Sequence, residues 1–347
     1  MSPTRNAAVL FNEIPNDFPV PGKTTKYDES STIDLDNVSL GEDGVLVKTV
    51  ALSIDPYLRS KMRAADIESY QPPYLLGKPL NSLGVGRVVR SQNPKFKAGE
   101  RVYGLFEHQE YNIFDKDSFL QALPETPLSS ATLVGAAGMP GGTAYIGYKE
   151  YAQAEKGKTI FISTGAGAVG SVVGQLAKLD GLKVIGSAGS DEKVEYMKSL
   201  GFDVAFNYKK TDTLEVLKKE GPIDIYWENV GGATLDAAIE TLKKDGIIIV
   251  CGQITAYNGG DGYNYKNLWQ IFARSIHIHG FLYFDLMPKW IEQFSKEFLP
   301  LIEKGIIKHK EEVVHGLDKV GDAILRVQKG ENKAKSVVLV ADDKDSH

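Results

Sequence analysis

A single cysteine in 347 residues removes two kinds of chemistry at the outset. Cys251 has no partner for an intrachain disulfide, and a cysteine-built zinc site cannot be assembled around it. His277 and His279 alternate as strand residues do. Two histidines with no third donor nearby make a poor metal site, so the expectation is a strand and no catalytic metal. Cationic excess is also missing: 40 Lys and Arg stand against 45 Asp and Glu, interspersed, with no basic stripe to track a nucleic acid. No apolar run approaches the ~18 residues of a membrane span. Met1-Ser2-Pro3-Thr4-Arg5-Asn6 lacks the layout of a secretory signal, and Asp345-Ser346-His347 is no peroxisomal address. The expected setting is cytoplasmic, with neither membrane nor nucleic acid as partner.

What is present suits two domains, because single cores stop growing near ~250–300 residues. The first part is β-rich and irregular. Strand-like runs at 44–53, 84–90 and 101–104 are bounded by Gly and Pro, with Asn93-Pro94 and Lys97-Ala98-Gly99-Glu100 as turns. Closely spaced strands of this kind predict a partly open barrel. From about Ser129 the pattern changes. Strands at 159–164, 183–187, 204–207, 223–228, 246–251 and 276–281 alternate with helical stretches, clearest at 168–179, 191–200 and 233–243. Val169, Val172, Val173, Leu176 and Ala177 recur at helical spacing. Six strands with crossover helices predict an α/β fold with a doubly wound parallel sheet of Rossmann type. Strands at 307–315 and 335–340 around a helix at 317–329 close the chain, and the last strand is expected to return to the first domain.

The first strand of the alternating part runs into Gly165-Ala166-Gly167-Ala168-Val169-Gly170, a G-x-G-x-x-G between strand and helix. Such glycines allow the tight turn, the close approach of a pyrophosphate and the packing of helix on strand. The helix N-terminus then offers free N–H groups to the anion. The second strand bears on NAD against NADP. An NAD site places an acid at its end to hold the ribose hydroxyls, but Gly186-Ser187-Ala188-Gly189-Ser190 carries none. Lys193, three residues on, suits an extra phosphate, although a solvated helix lysine looks the same. Asp191 is an NAD-type acid after a small register shift, or else a first-turn helix acid behind a Ser190 N-cap. NADPH is the favoured cofactor.

Further strings point to one family. Leu52-Ser53-Ile54-Asp55-Pro56-Tyr57-Leu58-Arg59, Gly138-Met139-Pro140-Gly141-Gly142-Thr143-Ala144-Tyr145, Tyr226-Trp227-Glu228-Asn229-Val230-Gly231-Gly232 and Cys251-Gly252-Gln253-Ile254-Thr255-Ala256-Tyr257-Asn258 resemble the prostaglandin/leukotriene reductases and alkenal double-bond reductases. So does Gly170-Ser171-Val172-Val173-Gly174-Gln175-Leu176-Ala177-Lys178. These are zinc-independent medium-chain dehydrogenase/reductases, and the likeness covers nearly the whole chain. It implies a GroES-like catalytic domain over residues 1–128 with a return at 310–347, a Rossmann NADPH domain over 129–309, and the cofactor in the cleft between. It implies NADPH contacts for Gly167, Ala168, Val169, Gly170, Lys193, Tyr208, Asn229, Cys251, Gly252, Ile254, Thr255, Tyr257, Phe281, Leu282, Tyr283 and Asn332. Lys193 and the tyrosine of Phe206-Asn207-Tyr208-Lys209 are placed at the 2′-phosphate. It also implies a homodimer joined through the nucleotide domains. Gly142 departs from the family, standing where a bulky apolar residue is usual, and the stretch 129–138 is smaller than usual. Both bear on the pocket wall near the nicotinamide.

The implied chemistry is NADPH-dependent reduction of the carbon–carbon double bond of an α,β-unsaturated aldehyde or ketone. Hydride addition to the β-carbon drives charge onto the carbonyl oxygen, which then needs a donor, and the α-carbon needs a proton. Tyr257 is the candidate catalytic donor, following the fifth strand at the end where open α/β sheets bind ligands. Whether it delivers the proton or orients a water stays open. Tyr57 and Tyr283 are candidate substrate-binding residues beside it, Tyr57 facing the pocket from the first domain as an aromatic wall with a polar tip. Arg59 could pair with an acidic substrate, but a surface ion pair with a neighbouring carboxylate is the commoner fate and the expected one. The Gly-rich, aromatic stretch 257–265 fits either a flap over substrate or a plain surface loop. The competing readings are a quinone reductase and a non-catalytic NADPH-binding protein.

Overall fold

The computed structural model describes residues 3–259 and 262–343. Met1, Ser2, the terminal 344–347 and two residues of the 257–265 stretch lie outside the described residues, and with them parts of the readings of both chain ends and of the flap. The chain forms two compact units, Met1–Gly135 with Glu311–His347, and Ala136–Lys310.

The second unit holds a six-stranded sheet. Its strands are β1 (Thr159–Ile162), β2 (Lys183–Ala188), β3 (Val204–Asn207), β4 (Ile223–Glu228), β5 (Leu242–Val250) and β6 (His277–Gly280). They lie in the order β3-β2-β1-β4-β5-β6 with every neighbouring pair parallel. This is the doubly wound α/β sheet expected from the alternation. Helices cover such a sheet on both faces, so its central strands are continuous apolar runs: all four residues of β1 are buried, as are Ile247, Ile248 and Ile249 in β5. Its helices include α1 (Met139–Tyr151), α2 (Gly170–Leu179), α3 (Asp191–Ser199), α4 (Thr213–Glu220), α5 (Gly232–Thr241), α6 (Trp269–Ala273) and α7 (Tyr283–Gln293).

Three boundaries differ from expectation for local reasons. The helix expected to reach 243 stops at Thr241, because the Arg274 guanidinium takes the carbonyls of Glu240 and Leu242 at 2.7 Å each. Leu242 then turns extended and starts β5 early, with a register irregularity opposite Ile223 and Ile225. The strand expected from 307 begins only at Glu311. Lys308 is clamped in the second unit instead, its N–H and carbonyl both bonded to the Gln175 amide at 2.8 Å. The helix expected over 317–329 opens as a 3-10 turn, Leu317–Lys319, before Val320–Gln328.

In the first unit a mixed seven-stranded sheet runs in the order Glu311–His315, Lys335–Leu339, Val45–Ile54, Asn81–Ser91, Arg101–Glu107, Leu120–Ala122, with Tyr111–Phe114 paired beside Val45–Ile54. The terminal strand Lys335–Leu339 lies antiparallel to Val45–Ile54, Ser336 opposite Ile54. Phe11, Phe106, Leu52, Ile54, Leu58 and Ile324 fill the core.

Candidate active site

The order of the sheet reverses between β1 and β4, and ligands of open α/β sheets bind beyond the carboxyl ends of strands at such a switch point. The two loops there are stitched together. The Ser163 hydroxyl accepts the Asn229 N–H at 2.9 Å and the Tyr226 hydroxyl at 3.1 Å, and the Asn229 amide donates to the Ser163 carbonyl at 2.6 Å. Thr164, with φ 55°, turns the chain into the glycine loop. A Cβ on Gly165 would lie 2.6 Å from Met197 Sδ and 2.9 Å from the Phe202 ring, and one on Gly174 would run into that same ring. A Cβ on Gly170 would lie 2.5 Å from the Thr164 carbonyl oxygen. Gly167 is less crowded: a Cβ there would stand 3.1 Å from the Thr164 carbonyl oxygen, a tight approach to main chain, and 3.8 Å from the Thr164 side chain. Among the described residues the N–H groups of Ala168 and Val169 take no backbone partner. A bare loop with free N–H groups at a helix N-terminus fits the pyrophosphate of a dinucleotide.

At the end of β2 the Ser190 side chain caps α3 by accepting the Lys193 N–H at 3.4 Å. Asp191 is a first-turn acid, and its carboxylate is already engaged: it accepts the Asn207 amide at 2.9 Å and pairs with Lys210. Those two contacts, Asn207 first, hold its carboxyl below the usual range. The helix-cap reading of Asp191 is therefore the one the geometry adopts. Tyr208 lies over Gly189, its hydroxyl 3.0 Å from where a Cβ would stand, and Gly189 is four residues before Lys193. A lysine and a phenol around an acid-free strand end suit a ribose phosphate better than free ribose hydroxyls.

The carboxyl ends of β4 and β5 are joined through Glu228, which the sequence reading did not single out. Its backbone carbonyl accepts the N–H groups of Cys251 at 3.0 Å and Gly252 at 3.1 Å. Its fully buried carboxylate accepts those of Val230 and Gly231, and burial raises its pKa. An acid at a strand end directly before Asn-Val-Gly-Gly was the available signal, since such a turn leaves N–H groups to be capped. Ile254 and Thr255 continue the link through the carbonyls of Asn229 and Val230. The 3-10 turn Ile254–Ala256 then folds Tyr257 back, so its hydroxyl lies 3.2 Å from the position of a Cβ on Gly252. Burial pushes the Cys251 thiol up to about 12, which leaves it protonated and unreactive at neutral pH.

Phe281, Leu282 and Tyr283 follow β6 at the same sheet edge. Beyond Tyr257, the far end of the 257–265 stretch is tethered. Tyr265 accepts the Gly232 N–H at 3.1 Å, and buried Asp236 accepts the N–H groups of Lys266 at 3.1 Å and Asn267 at 2.9 Å. Tyr57 and Asn332 belong to the first unit, Tyr57 on the 3-10 turn Pro56–Arg59 and Asn332 before the terminal strand, its amide on the Ala334 carbonyl at 2.7 Å. Burial, then the nearby Asp55 charge, hold the Tyr57 phenol well above its ordinary pKa. Arg59 departs from its expected surface position, although the Asp17 charge acts on it. It is buried, and its guanidinium donates to the main-chain carbonyls of Pro15, Asp17 and Met62, because Pro15 and Asp17 lie on a segment that crosses it. Among the described residues no group of three or more His, Cys, Asp and Glu side chains is placed to hold a metal, and no helix is long and apolar enough to cross a membrane.

The family model for zinc-binding dehydrogenases matches residues 168–304, and that for the N-terminal domain of oxidoreductases matches 21–122. A zinc-type alcohol dehydrogenase-like protein of Schizosaccharomyces pombe is 40% identical, with 94% of this chain and 95% of that one covered. The NADP(+)-dependent 2-alkenal reductase of Nicotiana tabacum is also 40% identical, over 91% of this chain and 95% of its own. The chain belongs to the zinc-independent alkenal and prostaglandin reductases of the medium-chain dehydrogenase/reductase family. In structure it resembles CurA of Vibrio vulnificus in complex with NADPH, with a TM-score of 0.87, 32% identity, and 97% and 99% of the two chains covered. Membership makes the chain an oxidoreductase with the two-part α/β fold described above.

Proposed function

We propose that this protein is an NADPH-dependent 2-alkenal/enone reductase that saturates the carbon–carbon double bond of α,β-unsaturated aldehydes and ketones. The observation that carries the reading is Tyr257: a phenol folded over the end of β5, where a dinucleotide alone needs none. NADPH, when bound, supplies the hydride for the β-carbon. The glycine loop from Gly167 to Gly170 holds the pyrophosphate on its free N–H groups. Lys193 and Tyr208 would hold the 2′-phosphate, Asn229, Cys251, Gly252, Ile254, Thr255 and the run Phe281-Leu282-Tyr283 would hold the nicotinamide half, and Asn332 would be a further cofactor contact. Tyr257 donates a hydrogen bond to the substrate carbonyl oxygen, where charge develops. Tyr57 and Tyr283 supply aromatic walls for the conjugated system. The site of action is the cytoplasm.

The test is NADPH oxidation with an enal, a cyclic enone and a quinone in parallel, with product identification. A saturated carbonyl product supports the reading; quinone consumption with neither enal nor enone saturated overturns it in favour of a quinone reductase. NADPH binding without turnover of any of the three would make the chain a non-catalytic binder. Lys193→Ala should raise the KM for NADPH roughly 10–100-fold, the worth of a hydrogen bond to a charged group, and leave the KM for NADH nearly unchanged. Equal changes for the two cofactors would return the ribose to Asp191.

The homodimer belongs to the same proposal. β6 ends the sheet, and its Ile278 and the neighbouring Trp269 and Phe272 are exposed, Phe272 by 80%. An apolar sheet edge is blunted by pairing with its own copy. Sedimentation should give the mass of two chains, and Ile278→Lys should shift it toward one; a monomeric wild type would refute the pairing.

A further inference from the structure

Adjacent glycines in α1 are bare for different reasons. A Cβ on Gly141 would collide with the backbone carbonyl of Ala136, so that position is set by the main chain. Gly142 is blocked only by a side chain: a Cβ there would stand 2.6 Å from Cε2 of Tyr283, and 3.3 Å from its Cζ and hydroxyl oxygen. Five residues further along the helix the arrangement repeats, because Gly147 is overlaid by the Phe281 ring, with Trp227 2.8 Å from where its Cβ would be. Five helical residues rise about 7.5 Å, and two residues of extended chain span roughly 6.6 Å. Phe281 and Tyr283 therefore drop into two notches of one helix. Phe281 is locked on both sides, packed edge-on against Trp227 with ring centroids 6.0 Å apart. Tyr283 packs edge-to-face with Phe284, ring centroids 5.1 Å apart, and no ring pair ties it to Trp227 among the contacts of the described residues.

The notch lies where chemistry is expected. α1 precedes β1 and α7 follows β6, so Gly142, in the first turn of α1, and Tyr283, at the start of α7, meet at the carboxyl edge of the sheet. We propose that Tyr283, seated in the notch at Gly142, is a specificity-determining residue that favours planar, aryl-conjugated unsaturated carbonyls over aliphatic ones. The inference rests on the reductase reading above. A side chain at position 142 would build this wall from an aliphatic branch on the helix; here the same room holds a flat ring with a hydroxyl at its tip. Such a face stacks on an extended π-system and gains little from a flexible alkyl chain. Burial pushes the Tyr283 hydroxyl up to about 12, so the ring presents a neutral donor throughout the working pH range.

The experiment compares kcat/KM for cinnamaldehyde and for trans-2-hexenal in the wild type, Tyr283→Val, Gly142→Leu and the double variant. The ratio of the two substrates cancels any common effect on NADPH binding or folding. In Tyr283→Val the aryl-to-alkyl ratio should fall about tenfold, the worth of one aromatic pair. Gly142→Leu alone should lose activity on both substrates through displacement of the ring. The double variant should recover turnover of trans-2-hexenal, because leucine then fills the notch that the tyrosine ring has left. A ratio unchanged within twofold in Tyr283→Val overturns the proposal, as does a double variant no better than the product of the single ones. If the wild type reduces neither aldehyde, the reductase reading itself has failed, a result separate from either of these.

Discussion

Lys335→Met is expected to destabilise the first unit by about 3–5 kcal/mol, the loss measured when one partner of a buried ion pair is removed. Lys335 Nζ lies 2.7 Å from Asp55 Oδ1 and 2.8 Å from the Ile54 carbonyl, with side chains only 4% and 7% exposed. The other Asp55 oxygen accepts the Ser53 hydroxyl. Lys335 begins the terminal strand and Asp55 follows the strand Val45–Ile54, so the pair pins the returning chain to the turn that carries Tyr57. Methionine fills the stem's volume but leaves the carboxylate buried without its cation. The urea midpoint should fall accordingly, and the KM for substrate should rise as the Asp55-Pro56-Tyr57 turn loosens. Lys335→Met/Asp55→Asn should recover much of the stability, because no charge is then stranded. The pH dependence carries a sign. Desolvation lowers the Lys335 pKa from 10.5, only partly countered by Asp55, so the unfolded chain binds more protons between the folded value and 10.5. Stability contributed by this group therefore rises with pH across that window and is lower beneath it. The methionine variant should lack that rise. A change in midpoint worth under 1 kcal/mol would show that the pair is incidental.

The parts of the fold legible in the sequence were those where local pattern and tertiary environment agree. β1 and β4 are short β-branched and aromatic runs between turn residues, and burial on both faces is what such runs demand. Where a distant residue decides, the pattern misleads. The end of α5 is set by Arg274, more than thirty residues on, and Lys308 is held by Gln175 rather than by a strand partner. The sequence assigned no element to α7, since Pro288 sits inside it and reads as a breaker. In the candidate site, the glycine loop and the acid-free end of β2 could be read from spacing alone. The division of labour among the glycines could not. Phe202 explains Gly165 and Gly174, and Tyr283 explains Gly142, but both are brought there only by the fold. Glu228 holds N–H groups of a turn, and its one sequence sign is its place directly before Asn-Val-Gly-Gly, which an acid with an ordinary surface role would share.

Tyr257→Phe should lower kcat about 10²–10³-fold, the loss typical of removing one donor to a developing oxyanion, equal to roughly 3–4 kcal/mol. The change deletes one oxygen and leaves the ring that packs over Gly252. The 3-10 turn Ile254–Ala256 is held by main-chain bonds from Ile254 and Thr255 to Asn229 and Val230, none of which uses the phenol. NADPH affinity, measured by direct titration, should therefore change by no more than a few-fold while turnover collapses. That split is what separates a donor from a wall. A residue that only shapes the pocket would alter KM with little change in kcat, since its contacts would be alike in the ground and transition states. The isotope pattern adds a second readout. If the phenol stabilises the carbonyl oxygen, its loss raises the barrier to hydride transfer, and deuterated NADPH should show a larger primary effect on kcat in the variant. If instead it delivers the α-proton, the solvent isotope effect should change and the primary effect should not grow. A kcat within threefold of the wild type would remove Tyr257 from the chemistry and leave the carbonyl oxygen to a different donor.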